Sequence, residues 1–293
     1  MRKSRFKLPD TTAAMQFTAI AWNLFHGRDF PPDSSLRTWR SRLLRFDERN
    51  ETHVQVNRDL TAEFATLLGR TAWDVALLQE CPPRFAAPLA LACGAEWHRA
   101  LTSRNALAPL RGLLARQNPD LMASAEGGSN LTLVRVPGPL GGIAVRREVA
   151  IHEGLPERRS MAFTRTASGI CVANLHATND RSRLASADVL LAARTASEWA
   201  GSAPLLFGGD LNLRPASEPE VFERLREELG LAAPTGPEAI DHLLVRGLEV
   251  IEPPTAWPAE RRELPLEGRA LRLSDHAPIE ARFGRTEPAA LPG

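Results

Sequence analysis

The stretch APLLFGGDLN, residues 203–212, joins a short apolar run to two glycines and a carboxylate. The apolar run predicts a buried strand. Gly208 and Gly209 let the chain turn sharply at Asp210, because glycine adopts backbone angles that other residues avoid. The stretch therefore predicts a strand that ends on a polar, chemically active edge.

Five further polar clusters stand at the end of an apolar strand or just before one. They are WN at 22–23, QE at 79–80, NLHATN at 174–179, IDH at 240–242 and SDH at 274–276. Strand ends on one rim of a sheet stack converge, so we expect these clusters to form one site. Their carboxylates, amides and imidazoles are the groups that a metal-assisted phosphoester hydrolase needs to bind Mg²⁺ and to neutralise phosphoryl oxygens.

The pattern between the clusters predicts one α/β domain, with mixed sheets and helices on the outside. Strands are predicted at Gln16 to Trp22 and at residues 73–80, and a helical stretch from about Asn105 to Arg116. Two separate strands are predicted at 141–147 and 149–154, among short strands that favour antiparallel pairing. The domain is expected to span residues 15–285, between a disordered segment 1–14 and a flexible tail 286–293.

The composition, with 43% hydrophobic and 24% charged residues among 293, excludes collagen-like, low-complexity and disordered chains. Cys81, Cys93 and Cys171 lack the spacing of a zinc site or a disulfide framework, and we predict structural thiols. The sequence shows no apolar run of membrane-spanning length and no secretory leader. We therefore expect a cytoplasmic protein with no membrane span and no obligate protein partner.

The 36 basic and 35 acidic residues leave a net charge of +1, which excludes a strong global attraction to polyanions but not a local basic groove. Only Lys3 and Lys7 are lysines, and all other basic residues are arginines. Two explanations of this arginine excess stay open: a GC-rich coding genome, or selection for bidentate phosphate contacts.

Taken in order over residues 16–283, the six motifs resemble the endonuclease/exonuclease/phosphatase superfamily. This superfamily includes DNase I-like nucleases, apurinic endonucleases, inositol polyphosphate 5-phosphatases and bacterial sphingomyelinases. One such motif alone is a weak signal, whereas six in order are a strong one. The resemblance implies a DNase I-like, two-sheet mixed β-sandwich flanked by helices, a site at one end, and dependence on Mg²⁺ or Mn²⁺.

The resemblance also implies roles for individual residues. Glu80, assisted by Asn23 and Asp275, would bind the metal ion. Asp210 would orient and deprotonate the attacking water. Asn212 would support Asp210 and the phosphoryl oxygens, and its side chain would point the same way as that of Asp210 if the local backbone is extended.

Asp241 and His276 are predicted to pair, so that the carboxylate fixes the tautomer of the imidazole and prepares its other nitrogen to act on the phosphate. His176 would stabilise or protonate the leaving oxygen. Asn130 and Asn179 are weaker candidates for phosphate binding. The alternatives are a turn residue for Asn130 and a helix cap for Asn179.

Two features of the sequence lie outside this set of roles. His242 should point to the opposite face of its strand from Asp241 and serve the structure. Several relatives, notably the nucleases, place a tyrosine near the phosphate, but this chain has no tyrosine. His26, Arg28 or an arginine of the predicted 104–116 helix could replace it.

The leading hypothesis is a Mg²⁺-dependent phosphoesterase whose water attacks phosphorus in line, with a nuclease-type phosphodiesterase as the first choice. Nucleic acid is then the candidate partner. The alternatives are a phosphatase or phosphodiesterase acting on a small-molecule or lipid phosphate and, from another class, a catalytically inactive binding scaffold on the same fold. The presence of every acid, amide and histidine named above argues against the scaffold.

Overall fold

A computed structural model describes residues 15–102, 108–153, 158–179 and 182–285. The segments 1–14 and 286–293, predicted to be a disordered start and a flexible tail, lie outside the described residues. So do residues 103–107 of the predicted helix that begins near Asn105.

The strands of the described chain are β1 (Met15–Asn23), β2 (Glu48–Arg49), β3 (Val54–Gln55), β4 (Val75–Cys81), β5 (Ala95–Leu101), β6 (Ser129–Arg135), β7 (Ile143–His152), β8 (Arg159–Thr166), β9 (Cys171–His176), β10 (Leu205–Asp210), β11 (Asp241–Arg246), β12 (Glu249–Ala256), β13 (Glu263–Leu266), β14 (Arg269–Arg272) and β15 (Ile279–Arg285). The helices are α1 (Trp39–Leu44), α2 (Thr61–Arg70), α3 (Ala86–Cys93), α4 (Ala108–Gln117), α5 (Pro119–Glu126), α6 (Ser182–Ala200) and α7 (Pro219–Leu229). Short 3₁₀ turns lie at Phe25–Gly27, Ser34–Leu36, Pro83–Phe85 and Ala259–Arg262.

Two large mixed sheets form the centre of the fold. The first has the strand order β12-β15-β1-β4-β6-β5, and the second has the order β11-β10-β9-β8-β7. Pairing is parallel between β1 and β4 and between β9 and β10, and antiparallel between the other neighbours. Two small hairpins, β2-β3 and β13-β14, lie outside these sheets.

The two sheets pack face to face, and helices cover their outer faces. One apolar cluster joins residues of both sheets, such as Phe17 and Val75 of the first sheet and Leu206 and Leu243 of the second. A second cluster packs α2 and α3 against the first sheet, and a third packs α6 and α7 against the second. The alternation of side chains along each strand places one set of residues between the sheets and the next set under the helices. This arrangement is the predicted sandwich flanked by helices.

At one end of the sandwich the inner rows of side chains change from apolar to polar. The inner row of β1 runs Phe17, Ala19, Ala21 and then Asn23, and β4, β9, β10 and β11 follow the same alternation. The Gln79 amide nitrogen donates to Asn174 Oδ1 at 2.7 Å, and the Asn174 amide donates to the carbonyl of Leu131 at 3.0 Å. These buried bonds tie the two sheets together beside the polar end.

The structure differs from the predicted secondary structure at several points. Residues 141–154 were predicted to form two strands, but one strand, β7, runs from Ile143 to His152. Its charged middle looked like an interruption, yet β7 is the edge of its sheet, where exposed charges are tolerated. The predicted 105–116 helix corresponds to α4, and the sequence analysis missed α3, β5 and the β13-β14 hairpin.

None of the helices in the described part of the chain has the length and apolar character that a membrane crossing needs. The three cysteines are buried and free. Burial raises the pKa of the Cys81 thiol to about 12, so this group stays protonated at neutral pH.

We predict that Gly208→Ala destabilises the protein strongly. A Cβ at this position would lie 2.3 Å from the backbone oxygen of His242 on the neighbouring strand, so the backbone must move. Overpacking of this kind costs about 1–3 kcal/mol or more. Gly236→Ala is the matched control, because its Cβ would meet nothing within 4 Å. Urea unfolding should show a clearly lower midpoint for Gly208→Ala alone, and equal midpoints would contradict the packing argument.

Candidate active site

The polar end of the sandwich is built where strands end in unusual backbone conformations. Five non-glycine residues there have a positive φ, which places them in the left-handed region: Phe25, His26, Glu80, Asn212 and Ser274. Such angles are costly for residues with a Cβ and are concentrated at functional sites. They turn the chain abruptly, so consecutive polar side chains leave the strand in directions that a regular strand would not give.

Asp210, at the end of β10, is the centre of the site and is only 2% exposed. The Asn23 amide donates to its Oδ2 at 2.9 Å, and the Nε2 atoms of His176 and His276 lie 3.5 Å and 3.9 Å from the same oxygen. The backbone N–H of Asn212 donates to Oδ1 at 3.1 Å. Residues from two other strands, β1 and β9, and from two loops therefore converge on one carboxylate.

The pKa of Asp210 is raised to about 7. Burial is the largest cause, because it penalises the charged form, and the negative charge of Asp241 adds to the shift. The charge of His276 and the hydrogen bond from Asn23 act in the opposite direction. The carboxylate is thus poised to exchange a proton near neutral pH.

Asp241 and His276 form the predicted pair, with Oδ2 and Nδ1 2.8 Å apart. Burial alone would lower the pKa of His276, but the hydrogen bond and charge of Asp241, with the charges of Asp210 and Asp275, raise it to about 10. The backbone oxygen of His276 accepts a hydrogen bond from the indole of Trp22 at 3.0 Å. The imidazole is therefore held in place and positively charged at neutral pH.

Glu80 and Asp275 lie on another side of the site. Burial raises the pKa of Asp275, the charge of His276 lowers it, and the charge of Glu80 raises it again. The His26 Nε2 atom lies 3.3 Å from Glu80 Oε2. The two carboxylates offer the oxygen ligands that Mg²⁺ takes.

Asp210, Asp241 and His276 form another cluster of potential ligand atoms. Each residue offers one such atom, and the three atoms all lie within 4.8 Å of one another. Asn23 is engaged with protein groups: its Oδ1 accepts from the backbone N–H of Phe25 at 2.9 Å, while its amide donates to Asp210. The predicted metal residues and the predicted catalytic residues are thus joined through Asn23.

His176, at the end of β9, is buried against Arg159. The guanidinium Nη1 lies 3.3 Å from His176 Nδ1, which makes Nδ1 the acceptor and places the ring proton on Nε2. Burial, followed by the charge of Arg159, lowers the pKa of His176 well below its usual value. The ring is therefore neutral and offers an N–H donor to the site.

The three other asparagines predicted for the site have different positions. Asn212 has φ 52°, so the backbone is not extended there, and its amide donates to the carbonyl of Ala177 at 3.0 Å. Asn130 is fully buried and donates to the carbonyl of Ser160 at 2.7 Å, so its side chain is not accessible to a phosphate. Asn179 is exposed in the segment after β9. Residues 180–181, which join Asn179 to α6, lie outside the described residues, and the predicted alternative of a helix cap falls there.

Sequence reasoning missed two residues that shape the site. Arg159 begins β8, far from any motif, and only the register of β8 with β9 brings it to His176. The Ser274 hydroxyl donates to the carbonyl of Asn23 at 2.6 Å and accepts from the N–H of His276 at 3.1 Å. Ser274 stands inside the SDH motif, which was a usable signal. His242 is buried with Nε2 3.0 Å from the Leu213 carbonyl, in agreement with its predicted structural role.

Two packed sheets between helices, with carboxylates and imidazoles clustered at one end, define the DNase I-like class of fold. A family model described as the endonuclease/exonuclease/phosphatase family matches residues 20–276, which is most of the chain. The chain therefore belongs to this family, whose members hydrolyse phosphoester bonds and typically depend on a divalent metal. The comparison with curated proteins gave no match.

Solved structures with the same fold come from bacteria and from human cells. An endonuclease/exonuclease/phosphatase family protein from Bacteroides thetaiotaomicron has a TM-score of 0.60 at 15% identity, covering 94% of this chain and 99% of that chain. A mannosyl-6-phosphatase from the same species has a TM-score of 0.60 at 13% identity, covering 91% and 99%. The human nocturnin catalytic domain with bound sulfate has a TM-score of 0.55 at 15% identity, covering 93% and 96%. At these identities the likeness shows the fold.

We predict that the His276 ring of the metal-free protein is still protonated at about pH 8, where an ordinary histidine is neutral. Its folded-state pKa, about 10, lies above the ordinary value of 6.5, so the charged ring stabilises the folded protein. This contribution is complete below pH 6.5 and is lost as the pH rises through about 10. Asp241→Asn should lower the pKa of the ring. NMR titration of labelled histidines tests both points, and a ring that titrates at its ordinary value would contradict them.

Proposed function

We propose that this protein is a divalent-metal-dependent phosphoesterase in which Asp210 accepts a proton from the water that attacks phosphorus. The observation that carries the proposal is the convergence of Asn23, His176 and His276 on one oxygen of the buried Asp210 carboxylate. A carboxylate that several groups hold in place is oriented before substrate arrives. Its pKa near 7 supports the same role, because a base works best near the operating pH.

Glu80 and Asp275, assisted by Asn23, are the residues that we propose hold the metal ion. Their carboxylates provide the oxygen ligands that Mg²⁺ or Mn²⁺ requires. A bound ion supplies positive charge against the phosphoryl oxygens and the leaving group. In this proposal Asp210, Asp241 and His276 do not bind the metal ion but act on the attacking water and on the phosphate.

The two histidines take different roles because their environments differ. His276, charged through its pairing with Asp241, presents its Nε2–H as a cationic donor to a phosphoryl oxygen. His176 is neutral, so we propose that its Nε2–H donates a hydrogen bond to the leaving oxygen. Because the pKa of His176 is lowered, this ring does not carry the extra proton that a general acid would donate.

Asn212 supports Asp210 through the backbone. Its N–H holds Asp210 Oδ1, while its amide anchors the turn to the carbonyl of Ala177. This arrangement keeps Oδ2 of Asp210 available to the groups that converge on it, and it makes Asn212 a positioning residue.

The second part of the proposal concerns the kind of phosphoester that the protein hydrolyses. A nuclease-type phosphodiesterase was the first choice from the sequence. A phosphatase or phosphodiesterase of small molecules is the second candidate, and a bounded polar cavity beside the carboxylates favours it. An inactive scaffold is disfavoured, because the acids and histidines are present and assembled.

We predict that turnover requires a divalent cation and that Glu80→Gln raises the Mg²⁺ concentration needed for half-maximal rate. The amide keeps the shape of the side chain but removes one negative charge from the proposed metal site. The assay compares plasmid, single-stranded and abasic DNA, RNA, nucleotides, and sugar, inositol and lipid phosphates, each with Mg²⁺ and with EDTA. Glu227→Gln, at an exposed position of α7, is the control. Undiminished turnover in EDTA would refute the metal requirement.

We also predict that Asp241→Asn and His276→Ala act as one unit. Each should lower kcat by about 10²–10³, the range for removing one hydrogen-bond donor to a developing oxyanion. The double variant should be little worse than the more damaging single variant, because the second change removes a partner that is already lost. Combining His276→Ala with Glu227→Gln gives the additive reference. If the losses of the pair simply multiply, the two residues work independently.

A further inference from the structure

A cavity of about 430 Å³ lies on the loops that follow β1. Its polar lining consists mainly of three arginines and three acceptor residues: Arg28, Arg37, Arg42, Asp29, Gln55 and Asp120. The rings of Phe25 and Phe30 complete the wall. This volume falls in the range of sites for small organic ligands.

The cavity lies next to the candidate active site, and Arg28 of its lining is within reach of the charges of Glu80 and Asp275. The carbonyl of Arg28 accepts a hydrogen bond from the N–H of Ser274 at 3.0 Å, one residue before Asp275. The N–H of Phe25 donates to the side chain of Asn23. The charges of Glu80 and Asp275 both act on the Arg28 guanidinium. A substrate with its phosphate at these carboxylates would therefore place its remaining part at Arg28 and beyond.

The cations of the cavity are held against aromatic rings. The guanidinium carbon of Arg28 lies 3.7 Å from the centroid of Phe25, and that of Arg37 lies 4.2 Å from the centroid of Phe30. The Arg42 Nη2 atom donates to the carbonyl of Asp120 at 3.2 Å. Stacked or tethered guanidiniums lose less freedom when an anion binds, and their planar fork suits phosphate and carboxylate groups.

The same cavity carries buried acceptors. Asp29 and Gln55 are only 5% and 3% exposed, and Asp29 Oδ1 and Gln55 Oε1 have no hydrogen-bond partner among the residues that the structure describes. A buried oxygen without a donor is costly, so such atoms indicate a donor supplied from outside the chain. Hydroxyl groups are donors of this kind.

Together, fixed cations and unpaired acceptors select a ligand that carries both an anionic group and hydroxyl groups. We propose that the cavity binds the leaving group of the substrate, and that this substrate is a small hydroxylated phosphoester with a second anionic group, such as a sugar bisphosphate. Arg37 and Arg42 bind the second anion, and Asp29 and Gln55 accept from hydroxyls. This inference rests on the proposed phosphoesterase function and names its substrate class.

The test measures binding separately from turnover. Calorimetry with fructose 1,6-bisphosphate and fructose 6-phosphate, in EDTA, gives a Kd for each sugar without hydrolysis. Arg37→Ala is compared with Arg40→Ala, which removes the same charge from the same exposed segment but from a residue outside the cavity lining. We expect Arg37→Ala to weaken binding of the bisphosphate at least about tenfold, while Arg40→Ala changes either Kd less than about twofold.

Arg42→Ala is the second variant, and circular dichroism checks that each variant is folded. Equal effects of Arg37→Ala and Arg40→Ala on the Kd of the bisphosphate would overturn the inference even if metal-dependent turnover is found. Tighter binding of a single-stranded oligonucleotide than of the bisphosphate would also overturn it. Absence of metal-dependent turnover on every phosphoester would refute the proposed function instead, whatever the calorimetry shows.

Discussion

Burial of the Asp210 carboxylate where the two sheets meet is the constraint on which the site depends. A carboxylate removed from water resists ionisation, and the nearby charge of Asp241 adds to that resistance. The cation of His276 and the donor group of Asn23 offset part of the cost. Removing one of these partners would leave an uncompensated buried group, which is more damaging than losing the whole cluster to apolar residues.

The packing between the two sheets also fixes the positions of the site residues. The inner rows of side chains are apolar over most of their length, and the first polar layer, Gln79 with Asn174, satisfies its donors by bonds that cross between the sheets. The close approach of β10 to β11 at Gly208 leaves no room for a side chain. Asp210, Asp241 and His176 therefore stand on strands whose relative positions are set by packing deeper in the protein.

Successive side chains of a strand point to opposite faces of its sheet, and this alternation predicted the face on which motif residues of regular strands lie. It placed Asp241 and His242 on opposite faces, and the ordered motifs predicted the pairing of Asp241 with His276. Alternation failed where the backbone leaves the regular strand, as at Asn212, because a left-handed φ re-aims the side chain. It also could not show that Arg159 meets His176 or that Asn130 is buried, since strand register and sheet packing decide those contacts. The arginine cavity depends on the fold in the same way, because residues of α1, β3 and α5 line it together with the segment after β1.

Strand β1, which carries Asn23, lies between β4 and β15 in its sheet. Its neighbour β15 is the last strand of the described chain, and His276 lies three residues before it. During synthesis Asp210 therefore leaves the ribosome before His276, the cation that balances it, and β1 gains its second neighbour only when β15 has been made. Contacts of very large sequence separation must form before the site is complete, and such contacts slow folding.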